Sequence, residues 1–407
     1  ENDNSMILGI IGKPNTGKST FFNAATMNNV PTGNYPFTTI EPNTGMAYVR
    51  VNCVCKELKI KDNPKNSLCI DGNRMIPVKL IDVAGLVPKA SEGRGLGNKF
   101  LDDLRQADVL IQVIDISGKT DEEGRIVESG KHDPINDINF VQEEFDKWMT
   151  NIIKKDWDKI VRTAEGDNKK FLELLGEKMS GLSINKTHIN QALEKSKLKI
   201  KNPINWEEND IETFALFLRT TSKPSIIAGN KIDLLENKDI IDKFKEKFEH
   251  FIVVAAEAEL MLKKAAENNM IRYMQGDSAF QINNDVKLDV KQKAALDLVK
   301  DKVLDKWSST GVQNAVNYAF TKILKCIVVY TVENENQFSD KKGNILPDAY
   351  LVKEGTTSKD LAYLIHTDIG KSFLHAIDAK NSKQLSADYV IKNNDIIKIV
   401  AIKNTSR

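Results

Sequence analysis

The chain has few cysteines, four in 407 residues, at positions 53, 55, 69 and 326. That is too few for a disulfide framework at this size and points to a reducing compartment, read as the cytoplasm. No apolar run approaches the length of a membrane span, so no membrane partner is expected. Charge of one sign is also missing: 58 Lys and Arg face 57 Asp and Glu, a formal net charge of +1. This excludes a global basic field as the means of holding nucleic acid and leaves only local patches. Five histidines are scattered, with no pair at metal-ligand spacing. The first five residues, Glu-Asn-Asp-Asn-Ser, are polar and do not read as a signal peptide. Repeats and low-complexity tracts are absent. What remains is ordinary globular composition, 41% hydrophobic and 28% charged, in a length that allows two or three domains.

Short apolar runs alternate with helical patterns. Residues 6–11, 76–81, 109–116, 225–228 and 251–255 read as buried strands, and 18–27 as a helix. Apolar strands separated by helices indicate a mostly parallel α/β sheet covered on both faces. The stretch between the third and fourth runs is too long for one connection of such a sheet. Helical periodicity at 139–162, 168–179, 186–197 and 207–218 reads as a helical insertion. Its charge is segregated: nine acids against two cations over 121–146, then thirteen cations against seven acids over 147–201. A basic helical surface can contact RNA phosphates, but a solvated helix face is the favoured reading. Helices at 289–306 and 312–324 should pack back on the sheet. From residue 326 a small α+β module begins, with strands at 327–332, 349–352, 373–377 and 396–402 and a helix at 358–365. The expected division is 6–117 with 223–325, 118–222, and 326–403.

Gly-Lys-Pro-Asn-Thr-Gly-Lys-Ser (12–19) fits G-x-x-x-x-G-K-S/T between a strand and a helix. Glycines let the backbone curl so that N–H groups of Lys13, Pro14's neighbours Asn15 and Thr16, then Gly17, Lys18, Ser19 and Thr20 surround phosphate oxygens at a positive helix end. Lys18 would reach the β- and γ-phosphates, and the Ser19 hydroxyl would ligate Mg²⁺. Asp82-Val83-Ala84-Gly85 follows a strand: Asp82 suits the Mg²⁺ shell and the Gly85 N–H the γ-phosphate. Tyr35-Pro36-Phe37-Thr38-Thr39 lies in a loop where either threonine can complete that shell, with Thr39 preferred. Asn230-Lys231-Ile232-Asp233 follows another strand. The Asp233 carboxylate can accept from guanine N1–H and N2–H₂, a donor pair adenine lacks, while Lys231 lies across the base and Asn230 ties this loop to the phosphate loop. Ala255, Ala256 and Glu257 follow the next strand, where a backbone N–H can meet guanine O6. Lys18, Thr39 and Gly85 are the expected catalytic groups.

This ordered set resembles translation-factor-related GTPases of the Obg-HflX superfamily, in particular the YchF-like group in its archaeal form. The resemblance also rests on Asn-Tyr-Pro-Phe-Thr-Thr-Ile-Glu-Pro-Asn (34–43), Asp-Val-Ala-Gly-Leu-Val-Pro (82–88) and Gly-Arg-Gly-Leu-Gly-Asn-Lys-Phe-Leu-Asp-Asp-Leu (93–104). Residues 340–349 and 360–370 are similar to a TGS domain. The resemblance implies an Obg-type G domain, a helical domain and a ubiquitin-like TGS domain with ribosome- or RNA-related roles. Familiar relatives end the base motif in Glu and accept ATP, so Asp233 implies GTP preference. Relatives often carry Cys before the last threonine of the switch loop, which supports Thr39. Asn15 matches a position resembling a potassium ligand in Obg- and TrmE-like GTPases, although Asn also favours such turns for their own sake.

Many GTPases place Gln after D-x-x-G, but here Leu86 cannot orient water, so slow intrinsic turnover is expected. The glycines at 93, 95 and 97 suit a switch hinge, with Arg94 read as a solvent-facing loop residue. Two other readings stand beside a GTP-hydrolysing switch: a nucleotide-gated scaffold with little hydrolysis, and a P-loop kinase, against which the guanine motif counts. A monomer is favoured. Cys53, Cys55, Asp62 and Cys69 can surround a zinc ion, but the spacing fits no recognised pattern, and half-buried cysteines are the favoured reading.

Overall fold

The computed structural model describes residues 6–27, 43–83 and 97–402. Thr38, Thr39, Gly85, Leu86 and Arg94 lie outside them. Strands β1 (Ile7–Ile11), β4 (Asn73–Asp82), β5 (Val109–Asp115), β6 (Ser225–Asn230) and β7 (Phe251–Val253) form a parallel array, and β2 (Thr44–Asn52) and β3 (Leu68–Ile70) pair antiparallel with β4. The order is β2-β4-β1-β5-β6-β7. Every residue of β5 is buried, as a central parallel strand covered on both faces requires. β2 is absent from the strands expected from sequence. It buries only Ala47, Tyr48 and Val49 as a continuous run, and Gly45, Arg50 and Asn52 interrupt its apolar pattern. Arg50 instead ties the strand to the rest of the fold, donating from Nη1 to Gln275 O at 2.7 Å and Asp277 Oδ1 at 2.8 Å.

Helix α1 (Lys18–Thr26) buries Phe21 and Ala25 against Leu8 and Ile10 on one sheet face, where Ala315, Val316 and Phe320 complete the layer. On the opposite face, Ile11, Ile81, Leu104 and Leu110 share a core with the inserted helices. These are α4 (Pro134–Lys154), α5 (Trp157–Ala164), α6 (Asn168–Met179), α7 (Lys186–Lys195) and α8 (Glu208–Ser222); α2 (Val54–Leu58) and α3 (Gly97–Gln106) precede them. Their starts are written locally. Asp133 caps α4 through Ile135 N with Pro134 at its first turn, and Asp167 caps α6 through Lys169 N and Lys170 N. Trp157 stacks on Trp206 at 5.1 Å between ring centroids, and Phe171 and Phe214 meet them edge-on. Lys154, Lys178, Lys199 and Lys201 of the basic stretch are paired with Glu208, Asp156, Glu194 and Asp210. These pairs weigh toward a solvated face rather than a phosphate-binding one.

A short antiparallel pair, β8 (Ile271–Arg272) and β9 (Gln281–Ile282), precedes the C-terminal module, a five-stranded mixed sheet of order β11-β10-β14-β12-β13 built from β10 (Cys326–Thr331), β11 (Asp348–Lys353), β12 (Phe373–Asp378), β13 (Lys383–Leu385) and β14 (Asp395–Ala401), with a helix at Ser358–Ile365. That helix starts at a capping box: Thr357 Oγ1 accepts from Asp360 N, and Asp360 Oδ2 accepts from Thr357 N. A strap from the first unit docks on the module at residues 344–349. Asn63 N donates to Ile345 O at 3.1 Å, Lys65 N to Pro347 O at 2.7 Å, and Asn66 exchanges two side-chain hydrogen bonds with the Ala349 backbone.

Candidate nucleotide site

The loop 12–19 joins β1 to α1 at the carboxyl ends of the parallel strands, where ligands of open α/β sheets bind. Gly17 opens the helix at φ +92°, and a Cβ there would meet Asn230 Nδ2 at 2.1 Å. Only glycine admits both the backbone and that neighbour. Asn230 in turn is a clamp. Its Nδ2 donates to Thr16 O at 2.9 Å, and its Oδ1 accepts from Ala256 N at 3.0 Å. One buried amide therefore fixes the distance between the phosphate loop and the turn after β7.

Lys18 and Asp82 meet directly. The Lys18 ammonium touches Asp82 Oδ1 and donates to Val83 O at 2.8 Å. Ser19 is exposed in the first turn of α1, beside Lys18. A hydroxyl and a carboxylate at converging strand and helix ends are hard oxygen donors that fit Mg²⁺.

Lys13 behaves differently from its neighbours. Its side chain turns away from the loop's open side and is 2% exposed. It lies 2.8 Å from Asp137 Oδ2 and donates to Thr120 O at 3.1 Å and Asp121 O at 2.5 Å. Asp137 Oδ1 is 2.7 Å from His132 Nε2. Only the backbone of Lys13 is left to face a phosphate. Asn15 has φ +65° and donates from Nδ2 to Gly124 O at 2.7 Å, which gives the asparagine a turn and a strap to hold. Gly124, at φ +80°, packs so closely that a Cβ would lie 2.5 Å from Pro14 O. The segment after β5 thus braces the phosphate loop.

In the base motif, Lys231 stands at φ +65° and donates to Asn15 O at 2.8 Å and to Asp115 Oδ2 at 3.1 Å. Asp115 is buried at the end of β5, and it also accepts from Ser117 N and Thr120 Oγ1. The Asp233 carboxylate is half-buried and makes no hydrogen bond or ion pair among the described residues. The N–H groups of Ala255 and Ala256 are engaged by Thr310 O and Asn230 Oδ1, which leaves that of Glu257 for an outside acceptor. Asp115, Asp137 and Thr310 were missed by sequence reasoning. A carboxylate closing a buried strand that is apolar except for Gln112 is a usable signal for Asp115; nothing local marks the other two.

Comparison with known proteins accords with this geometry. Residues 7–154 match the family model of a 50S ribosome-binding GTPase, residues 228–334 the G4 motif-containing domain of the Obg-like GTPase YGR210-like, and residues 338–401 the TGS domain. An uncharacterised GTP-binding protein of Methanocaldococcus jannaschii is 49% identical over 97% of this chain and 99% of its own length. The ribosome-binding ATPase YchF of Buchnera aphidicola is 29% identical over 90% of this chain and 86% of its own. The crystal structure of a GTP-binding protein from Pyrococcus horikoshii superposes with a TM-score of 0.78 at 36% identity, covering 98% of this chain and all of that one. With phosphate loop, base motif and C-terminal module matched in one order, the chain belongs to the YchF-like GTPases of the Obg-HflX superfamily, archaeal in type and carrying a C-terminal TGS domain.

Proposed function

We propose that this chain is a Mg²⁺-dependent guanine-nucleotide switch whose output is contact with the ribosome or RNA. The observation that carries the reading is the Asn230 clamp, which sets the phosphate loop and the turn at 255–257 at a fixed spacing while Asp233 beside them keeps an unengaged carboxylate. Phosphates would lie against the backbone of 13–20, with Lys18 exchanging Asp82 for the β- and γ-oxygens. Ser19 and Asp82 would hold Mg²⁺ together with Thr39, and Gly85 would meet the γ-phosphate. Bound Mg²⁺ neutralises charge on the transferring group. Asp233 accepts from the guanine edge, Lys231 covers the base, and the Glu257 N–H meets O6. The working division is a G domain of 6–117 and 223–325, a helical domain of 118–222 and the TGS domain of 326–403.

No helix of the described residues is long and apolar enough to cross a membrane. Cytoplasmic action as a monomer fits the proposal. The name of the Buchnera relative supports a ribosomal partner. Co-sedimentation with ribosomes in the GTP-analogue, GDP and nucleotide-free states tests this: association is expected to differ between the states, and equal association in all three would sink the switch. Single-turnover hydrolysis should be slow alone, and faster in potassium than in sodium if the Asn15 side chain serves a monovalent ion. An unchanged rate removes that role from Asn15, and fast unassisted turnover removes the need for a partner.

A further inference from the structure

Three of the four cysteines fall within residues 53–69, at the end of the sheet opposite the phosphate loop, because β2 runs antiparallel and delivers Cys53 beside the start of β4. Cys53 immediately precedes α2, Cys55 lies in its first turn, Cys69 is the middle residue of β3, and Asp62 sits on the loop between them. The structure brings all four together: one donor atom from each lies within 4.8 Å of every other. We propose that Cys53, Cys55, Cys69 and Asp62 form a structural Zn²⁺ site, and that the metal holds the strap on which the TGS domain docks. This replaces the favoured sequence reading of ordinary half-buried cysteines.

The spacing of the donors argues for the metal. A zinc–thiolate bond of about 2.3 Å in tetrahedral geometry places two sulfurs about 3.8 Å apart. Cys55 Sγ and Cys69 Sγ are 3.8 Å apart, too far for a disulfide. Cys53 Sγ is 3.1 Å from Asp62 Oδ2, so the third thiol and the carboxylate converge on the same point. Three thiolate sulfurs and one carboxylate oxygen, all donor types that zinc accepts, make a closed four-donor set.

The surroundings suit an anionic metal centre. Arg74 is fully buried and donates from Nη2 to Asp62 Oδ2 at 2.9 Å, fixing the carboxylate as an outer-shell partner fixes a metal ligand. Its positive charge offsets part of the negative charge that three thiolates and a carboxylate leave on zinc. Val54, Ile76, Tyr330 and Leu346 share a buried cluster with Cys53 and Cys55, while Cys69 and Asp62 are half-buried at its margin. Arg74 also donates to Leu346 O from both terminal nitrogens, at 3.1 and 3.0 Å. The loop that carries Asp62 continues into Asn63, Lys65 and Asn66, which pair with the backbone of residues 345–349. Fixing Asp62 therefore fixes the strap.

The test is metal analysis of the full chain, grown with zinc and purified with a thiol reductant and no chelator. One zinc per chain is expected, released by a thiol-blocking mercurial. Cobalt substitution should give the visible bands of a tetrahedral thiolate centre. Cys69→Ser and Asp62→Ala should lose the metal, whereas Cys326→Ser, whose sulfur lies against Met6 elsewhere in the fold, should keep it. Removing zinc from the wild-type chain should raise amide exchange at 60–67 and 345–349 while GTP binding persists. A wild-type chain with four titratable thiols, no zinc and no cobalt spectrum overturns the site, as does a Cys55–Cys69 disulfide found by mass spectrometry. Loss of zinc without a change in exchange at the strap overturns the docking role.

Discussion

Asp233→Asn should weaken GTP binding by about 10²–10⁴-fold, since two hydrogen bonds to a charged acceptor are worth about 1.5–3 kcal/mol each. The carboxylate offers two acceptor oxygens to the N1–H and N2–H₂ of guanine. An amide keeps one acceptor and turns an N–H₂ donor toward a donor, so one bond is lost and the other loses its charge. Xanthine has an oxygen at C2 where guanine has the amino group, and it restores the match. XTP should therefore bind the variant better than GTP does, while ATP should gain little in either protein. Affinities from titration of fluorescent analogues, competed by each triphosphate, measure this inversion. The structure supports a clean result. Asp233 makes no hydrogen bond or ion pair among the described residues, so its replacement leaves no protein group newly unpaired. A variant that binds GTP and XTP as the wild type does would remove Asp233 from base recognition.

What the sequence discloses about this site is what lies within one loop or one strand-to-helix turn. Gly17, Lys18 and Ser19 declare themselves because a phosphate cradle needs glycine, an ammonium and a hydroxyl in fixed order. Asn230, Lys231 and Asp233 do the same for a base. Helix starts such as Asp133-Pro134 and Asp167 are equally local. The unread part depends on chain closure over large separations. Lys13 and Asp137 are both ordinary surface-type residues until the first turn of α4 is brought over the phosphate loop. The four donors at 53, 55, 62 and 69 match no spacing rule because a one-turn helix and an irregular loop, rather than a hairpin, bring them together. β2 went unread for a related reason: its stability comes from pairing with β4 and from Arg50 reaching Gln275 and Asp277 more than from apolar alternation. Thr310 holds the turn at 255 through its backbone carbonyl, on Ala255 N, and the helix that follows through its hydroxyl, on Glu259 Oε2 at 2.6 Å, and a lone threonine far along the chain announces neither contact.

Asp137→Ala should destabilise the chain by about 3 kcal/mol, near the lower end of what breaking a buried ion pair costs. Asp137 and Lys13 are 5% and 2% exposed, so the Lys13 side chain would lose its carboxylate partner in a site with little water. The carbonyls of Thr120 and Asp121 still accept from Lys13, which moderates the loss. His132 would also lose its partner at 2.7 Å. Asp137→Asn keeps a polar contact for His132 but not the charge, and should fall between wild type and Asp137→Ala. Lys13→Met combined with Asp137→Leu removes both charges together and should recover part of the loss, the remainder reflecting the Thr120 carbonyl and the His132 ring, which lose their partners. The functional consequence follows from position. Lys13 is the second residue of the phosphate loop, and Asp137 begins the inserted helices. A loosened pair lets the loop and the helices move apart while every proposed nucleotide contact stays chemically intact. GTP should therefore leave Asp137→Ala faster, with its preference for guanine over adenine unchanged. Denaturant midpoints give the first quantity and stopped-flow release the second. Equal stability and an unaltered off-rate would mean that the buried pair couples nothing to the site.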